Sequence, residues 1–346
     1  DDAPQGLTIP ENLALNRDWR TSTDWEDILR TTSPDGMNVP AISDETSGVG
    51  LYPAIKVNTD GDAYVAYYDS INGDLKFNYA VMNTWSTPVV VDSSDLVTET
   101  VGLYPSLALA GGNVYISYYN AAKGDLKFAW SSGIYTSWDR QRIDESGDVG
   151  QYSSIAAIGS DRYAVCYYDV TNKDLKYVEG QVSTKGTPKT VDSGGDVGQY
   201  CSLALGASNA PRISYFDGTN SDLRYAVWNG STWSIQTVLV PSQYVGRFTS
   251  LALDNNGRAR ISFYDKGLGQ LDFAIQHPTQ DTSWTIEAID NSVDEGLFSS
   301  LVFDSVNNPR ISFFDDIRDQ LKYAFWNGSS WSVQVVDTGN AAGLYS

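Results

Sequence analysis

Three arginines and two tyrosines stand at one repeated place in this chain. In successive repeats, the same strand-like segment opens with Tyr64, Tyr115, Ala164, Arg212, Arg260 and Arg310. Arginine carries a fixed charge and a fork of donors that matches the oxygens of a carboxylate, a sulfate or an acidic sugar. Tyr64 and Tyr115 add rings with a hydroxyl. These five residues are the candidate ligand-binding set, and the ligand they imply is anionic. The competing reading gives each arginine a neighbouring carboxylate as a structural pair.

Other chemistry is sparse. The single histidine, His277, lies in the segment QHPTQD before a proline, so a Ser-His-Asp triad would have to use a loop residue. Zinc held by histidines is excluded by their number. There is no P-loop, no HExxH and no GxSxG elbow. A glycosidase needs two facing carboxylates, but 43 acidic residues single out no pair. Asp69, Asn120, Asp169, Asp217, Asp265 and Asp315 recur at the end of one segment and read as turn caps, bonding to their own backbone two residues on. Asp148, Asp196 and Asp294 fall in connections that gather on one face, where oxygens could hold calcium, although no EF-hand spacing occurs. No organic cofactor is expected, and calcium is left open.

The elements that must position these residues come from a repeat. Gly-x-aromatic recurs at Gly50, Gly102, Gly150, Gly198, Gly246, Gly296 and Gly343. Between markers run four short segments rich in Val, Ile, Tyr, Phe and Trp. In the fourth unit these are A (SLALG, 202–206), B (RISYFD, 212–217), C (DLRYAVW, 222–228) and D (WSIQTV, 233–238). Their length and composition are those of strands. Asn229-Gly230 and Asn327-Gly328 between C and D, and Asp60-Gly61, Gly111-Gly112 and Asn256-Gly257 between A and B, are hairpin turns. Four-strand antiparallel units at this period are propeller blades. The expectation is an all-β, six-bladed β-propeller over 45–346, with inner strands at about 52–58, 105–110, 153–158, 201–206, 249–254 and 299–304. Alternating residues of A, such as Leu203 and Leu205, should pack between sheets. Ser202 and Ala204 should suit a crowded inner edge.

Residues 1–44 form an N-terminal extension. Pro40 and Asp44 match Pro188 and Asp192, so 38–44 resemble a lone segment D that closes the seam. The alternative is a seven-bladed ring whose degenerate N-terminal blade starts at Leu13-Ala14-Leu15. Thr23 and Glu26 make a capping box that predicts a short helix over 23–30. Gly343-Leu344-Tyr345 looks like the start of a further segment A.

With Lys plus Arg at 23 and Asp plus Glu at 43, the net charge is −20, which argues against nucleic acid and anionic membrane surfaces as partners. No apolar run is long enough for a spanning helix. Asp1-Asp2-Ala3-Pro4 without a Met reads as a processed start, and the acidic, lysine-poor composition suits a secreted or cell-surface protein. Cys166 and Cys201 either pair or stand as two small buried hydrophobes, the second being favoured.

Trp85, Trp138, Trp233, Trp284 and Trp331 open segment D, while Trp130, Trp228 and Trp326 close segment C. Most should pack the outer blade, but rings beside Ser, Thr and Asn also describe a sugar site. The unit RISYFD…DLRYAVWNGSTWSI resembles the blades of fungal and bacterial six-bladed sugar-binding propellers. That resemblance implies sugar sites between blades, made by an arginine, a carboxylate and aromatics. Arg212, Arg260 and Arg310 would correspond to the arginine, which the first three blades lack. The function expected is non-catalytic recognition of a glycan or a cell-surface protein. A glycoside hydrolase or polysaccharide lyase with a channel-mouth site, and a structural or interaction propeller, are the alternatives.

Overall fold

The computed structural model describes residues 49–82, 84–93, 100–238, 244–278, 282–290 and 295–338. They build an all-β propeller of six blades, each an antiparallel sheet in the order A-B-C-D. Blade 1 has A at Val49–Val57, B at Ala63–Asp69, C at Asp74–Val81 and a D in two pieces, Thr84–Trp85 and Val89–Asp92. Blade 2 runs Val101–Ala110, Asn113–Asn120, Asp125–Ser132 and Asp139–Asp144. Blade 3 runs Val149–Ile158, Arg162–Asp169, Asp174–Gln181 and Lys189–Asp192. Blade 4 runs Val197–Leu205, Pro211–Asp217, Asp222–Trp228 and Trp233–Thr237. Blade 5 runs Val245–Leu253, Ala259–Asp265, Gln270–Gln276 and Trp284–Asp290. Blade 6 runs Glu295–Phe303, Pro309–Asp315, Gln320–Trp326 and Trp331–Asp337.

The turns follow from their residues. Asn229 Oδ1 accepts the amides of Ser231 and Thr232, both at 2.9 Å, and Gly230 takes the left-handed φ of +101° that lets the chain reverse. Asp69 Oδ1 accepts the amides of Ile71 and Asn72 at 3.0 and 3.2 Å, and Asp169, Asp217, Asp265 and Asp315 cap the matching turns.

Strand A begins earlier than expected. In blade 4 it starts at Val197, before the Gly-x-aromatic marker, and continues through it. The pairing of A with B slips on both sides of Gln199, so the marker is a bulge inside the strand. Gly198 has φ +108°, and a Cβ there would lie 2.7 Å from the Leu175 Cα of blade 3. The aromatic residue shares the left-handed region, from Tyr52 at φ +52° to Phe298 at +53°. Its ring meets the next blade's ring at 4.3–4.9 Å throughout the arc from Tyr52 to Phe298.

Each of the five joints from blade 1 to blade 6 has its own apolar core. Leu203 packs with Ala164, Cys166 and Leu175 of blade 3, while Ala204 faces blade 5. The small residues of A therefore serve a sheet face rather than an inner edge. Ser202 Oγ accepts the Leu251 amide of the next blade at 2.9 Å, and Ser106, Ser154 and Ser250 repeat this bond. Trp138, Trp233, Trp284 and Trp331 sit edge-on against the preceding blade, as in Phe77–Trp138 at 4.9 Å and Tyr225–Trp284 at 5.2 Å.

Cys166 and Cys201 form a disulfide between blades 3 and 4, with Cα atoms 6.4 Å apart, so they are not separate thiols. At three other joints the matching positions are hydroxyl pairs: Ser117–Ser153 at 2.9 Å, Ser214–Thr249 at 2.7 Å and Ser262–Ser299 at 2.8 Å. The joint brings any two side chains at these positions together, which spacing along the chain does not reveal. The expected helix at 23–30, the extension 1–44 and the marker at Gly343 lie outside the described residues.

Candidate functional site

Near the start of strand B, Tyr115 and Arg212 reach across the joint to the A-to-B turn of the following blade. Tyr115 Oη donates to the Ser160 carbonyl at 2.6 Å, and Arg212 Nη1 donates to the Gly257 carbonyl at 2.7 Å. Tyr64 Oη meets Tyr135 Oη at 3.4 Å, beneath the edge of a stacked aromatic group. Burial, ahead of the Tyr135 hydroxyl, pushes the Tyr64 phenol well up. Arg260 and Arg310 do not cross. Arg260 Nη2 folds back onto Asp254 Oδ2 at 2.6 Å, and Arg310 Nη2 onto Asp304 Oδ2 at 2.7 Å, with its guanidinium 5.4 Å from the Phe325 ring centre. The five candidate residues thus occupy separate joints and are not brought to one site.

The retreat of Arg260 has a consequence. Where Arg212 and Tyr115 bridge their joints, the joint between blades 5 and 6 opens into a cleft of about 230 Å³. Its walls include Asp254, Arg258 and Arg260 of blade 5, Glu287 on that blade's D, and Asn307, Asn308, Trp326 and Trp331 of blade 6. Asn307 Oδ1 accepts the Asn255 amide at 2.8 Å and ties the two turns together at the rim. Trp331 stands edge-on to Phe273 at 5.2 Å and to Trp326 at 5.7 Å, and its Nε1 donates to Glu287 Oε2 at 3.3 Å.

The charges in the cleft are balanced. Burial works to raise the Asp254 carboxyl, but the Arg258 amide, the Arg260 charge and the Asn256 amide together hold it below its ordinary value. Burial lowers Arg260, against the pull of Asp254. Arg258 Nε also reaches Asp254, at 3.0 Å. One carboxylate thus engages both guanidinium groups, and Glu287 is the acid left to face a ligand beside the indole N–H. Sequence reading found Arg260, Trp326 and Trp331 but missed Glu287, Asn307 and Asn308. The signal present was Asp254, six residues before Arg260, as Asp304 is before Arg310.

The opposite face carries polar clasps. Tyr118 Oη donates to Asp92 Oδ2 at 2.7 Å, Tyr167 Oη to Asp144 at 2.6 Å and Tyr215 Oη to Asp192 at 2.7 Å. Lys127, Lys176 and Arg224 reach the same three carboxylates. Asp148 and Asp196 accept Tyr119 and Tyr168 hydroxyls at 2.6 and 2.7 Å, and Asp294 is outside the described residues. Among the described residues no group of three His, Cys, Asp or Glu side chains gathers as for a metal ion. His277 is exposed after strand C of blade 5.

No family model matches the chain, and no curated protein matches it in sequence. Solved structures share its fold. The six-bladed lectin of Aleuria aurantia, which recognises fucose, aligns over 86% of this chain and 98% of its own, with 19% identity and a TM-score of 0.54. The intramolecular trans-sialidase of Ruminococcus gnavus, solved with oseltamivir carboxylate, aligns over 81% and 93%, with 9% identity and a TM-score of 0.55. YCF48, solved with a D1 peptide, aligns over 85% and 86%, with 14% identity and a TM-score of 0.54. At these identities the likeness is one of fold: the chain is a six-bladed β-propeller, and its fold resembles those of a lectin, a trans-sialidase and a protein solved with a peptide.

Proposed function

We propose that the protein is a non-catalytic carbohydrate-recognition propeller that binds a neutral sugar in the cleft between blades 5 and 6. The observation that carries this reading is the pairing of the Trp331 ring with Glu287 beside the Asp254–Arg258–Arg260 group. An indole offers its face to the apolar side of a pyranose, and Glu287, Arg258, Asn307 and Asn308 offer acceptors and donors to its hydroxyls. At about 230 Å³ the cleft is smaller than the roughly 300–1,000 Å³ of drug-sized sites, which suits one sugar residue. Two guanidinium groups against two carboxylates in the walls, inside a chain of net charge −20, favour a neutral ligand over the anionic one expected from Arg212, Arg260 and Arg310 alone. The Cys166–Cys201 disulfide supports an oxidising, extracellular setting.

A glycan array followed by calorimetry tests the reading. Trp331→Ala should lower affinity at least tenfold, about 1.4 kcal/mol, and will also lower the melting point because the ring packs against Phe273, so binding is compared at a temperature where both proteins are fully folded. Glu287→Gln should weaken binding and shift preference among hydroxyl stereoisomers. Parallel assays of sugar release and of sialoside turnover address the enzyme alternative. Turnover, or binding indifferent to Trp331, would displace the lectin reading.

A further inference from the structure

Asn72, Asn229, Asn256 and Asn327 each precede a glycine. An Asn-Gly pair is open to one reaction that needs only water. The glycine nitrogen attacks the asparagine Cγ, the Cγ–Nδ2 bond breaks, and Nδ2 leaves as ammonia with the proton that the nitrogen gives up. Water then opens the succinimide ring to aspartate or isoaspartate. Glycine permits the attack because it has no Cβ in the way. The reaction requires a glycine amide that is free to turn toward Cγ.

The fold divides the four pairs into two kinds. The Gly73 amide donates to the Asp69 carbonyl at 2.8 Å, and the Gly257 amide to the Asp254 carbonyl at 2.7 Å. Each nitrogen is thereby fixed inside its turn. Asn72 Nδ2 is also held, on Asp69 Oδ2 at 2.8 Å, and the Gly257 carbonyl accepts Arg212 Nη1 at 2.7 Å. Gly73 is buried and Gly257 half-buried.

Asn229 and Asn327 lie with their glycines in the exposed C-to-D turns of blades 4 and 6. Among the described residues the amides of Gly230 and Gly328 donate to no acceptor. The space around both is open, since a Cβ at either would meet nothing within 4 Å. Asn229 Oδ1 accepts the Ser231 amide, the Ser231 hydroxyl and the Thr232 amide at 2.9–3.0 Å. Ser329 and Ser330 repeat these bonds to Asn327 Oδ1. Such donors polarise the Cγ carbonyl and face the negative charge that Oδ1 takes on when the nitrogen adds.

We propose that Asn229 and Asn327 are sites of spontaneous covalent modification, converting to aspartate and isoaspartate in the folded protein, while the turns around Asn72 and Asn256 protect those two. The Asn327 turn links Trp326 to Trp331, both in the wall of the cleft between blades 5 and 6. Conversion there places a new carboxylate in the turn between two cleft residues. The proposal holds whether or not the cleft binds a sugar.

The test ages the unmodified full chain in mildly alkaline buffer and reads aspartate and isoaspartate at each of the four positions by peptide mapping. Asn229 and Asn327 should convert at least about tenfold faster than Asn72 and Asn256. In concentrated urea the four rates should draw together, because the turns that sort them are gone. Similar rates at all four positions in the folded protein would overturn the proposal. So would Asn229 and Asn327 remaining intact in the folded protein while they react in urea. A difference that persists unchanged in urea would trace the sorting to neighbouring residues rather than to the fold, and would overturn it as well.

Discussion

Asp272 occupies the place held by Lys76, Lys127, Lys176, Arg224 and Lys322 in the other blades. Its neighbourhood changes in concert. Val238 stands where the other blades end D with aspartate, and Phe263, like Phe313 of blade 6, stands where blades 1 to 4 offer a tyrosine. Asp272 is left beside Asp265, both buried, with Gln270 Nε2 donating to it at 2.7 Å. Burial, reinforced by Asp265 and opposed by the Gln270 bond, pushes its carboxyl up to about 7. Glu295, buried where the other blades carry valine, is likewise pushed up to about 7 by burial and by Asp290, against the pull of Lys322. A carboxyl raised in the folded state binds more protons there than in the unfolded chain. Its stabilisation is complete below the ordinary carboxylate range and is lost as pH rises toward 7. Asp144, Asp254 and Asp315 are held low and act in the opposite sense, losing stability as pH falls below the ordinary range. Stability should therefore peak in mildly acidic solution. Asp272→Asn should flatten the decline toward neutral pH by an amount on the order of a few kcal/mol, read from urea midpoints at stepped pH. An unchanged slope would show that Asp272 ionises without cost.

Strand A is shaped by its bulge. Gly198→Val forces a branched side chain into φ +108° and drives a Cβ to 2.7 Å from the Leu175 backbone. The strained dihedral alone costs about 1–3 kcal/mol, and the contact between blades adds to it. Thermal melting should show a drop of several degrees, and an unmoved midpoint would refute this role for the glycine. The same joint holds the disulfide, which spans 35 residues of sequence. Cys166→Ser with Cys201→Ser should cost about 2–4 kcal/mol. The double serine should nevertheless exceed the double alanine in stability, because it recreates the hydroxyl pair found at three other joints. Equal melting points for the two double variants would contradict that equivalence.

Across the whole molecule, 43 acids face 23 lysines and arginines. Many acids are held in clasps and turns, yet the net charge of −20 leaves a field that opposes the compact state. The clasp pairs are largely buried and weakly screened, while the surface repulsion is exposed and screened by salt. Adding sodium chloride should raise the melting temperature until the repulsion is screened out. A fall instead would mean that exposed pairs such as Lys185–Glu145, 3.7 Å apart, outweigh the repulsion.

The blades are legible in the residues alone. Period, strand composition and Asn-Gly turns are local properties, and hairpins form between neighbours in the chain, so A, B, C and D could be read off with the turn caps at Asp69 and Asp217. It also marked Arg260 and Trp331 as residues of interest. What lies between blades is set by how they pack. Cys166 meets Cys201, Glu287 meets Trp331, and Asp272 meets Asp265 with no lysine, because each joint sets side chains of different strands face to face. Whether Arg212 bridges a joint or Arg260 folds back and opens a cleft depends on a carboxylate at the right height, Asp254. Strand periodicity describes one sheet at a time, and a site between two sheets exists only once they pack.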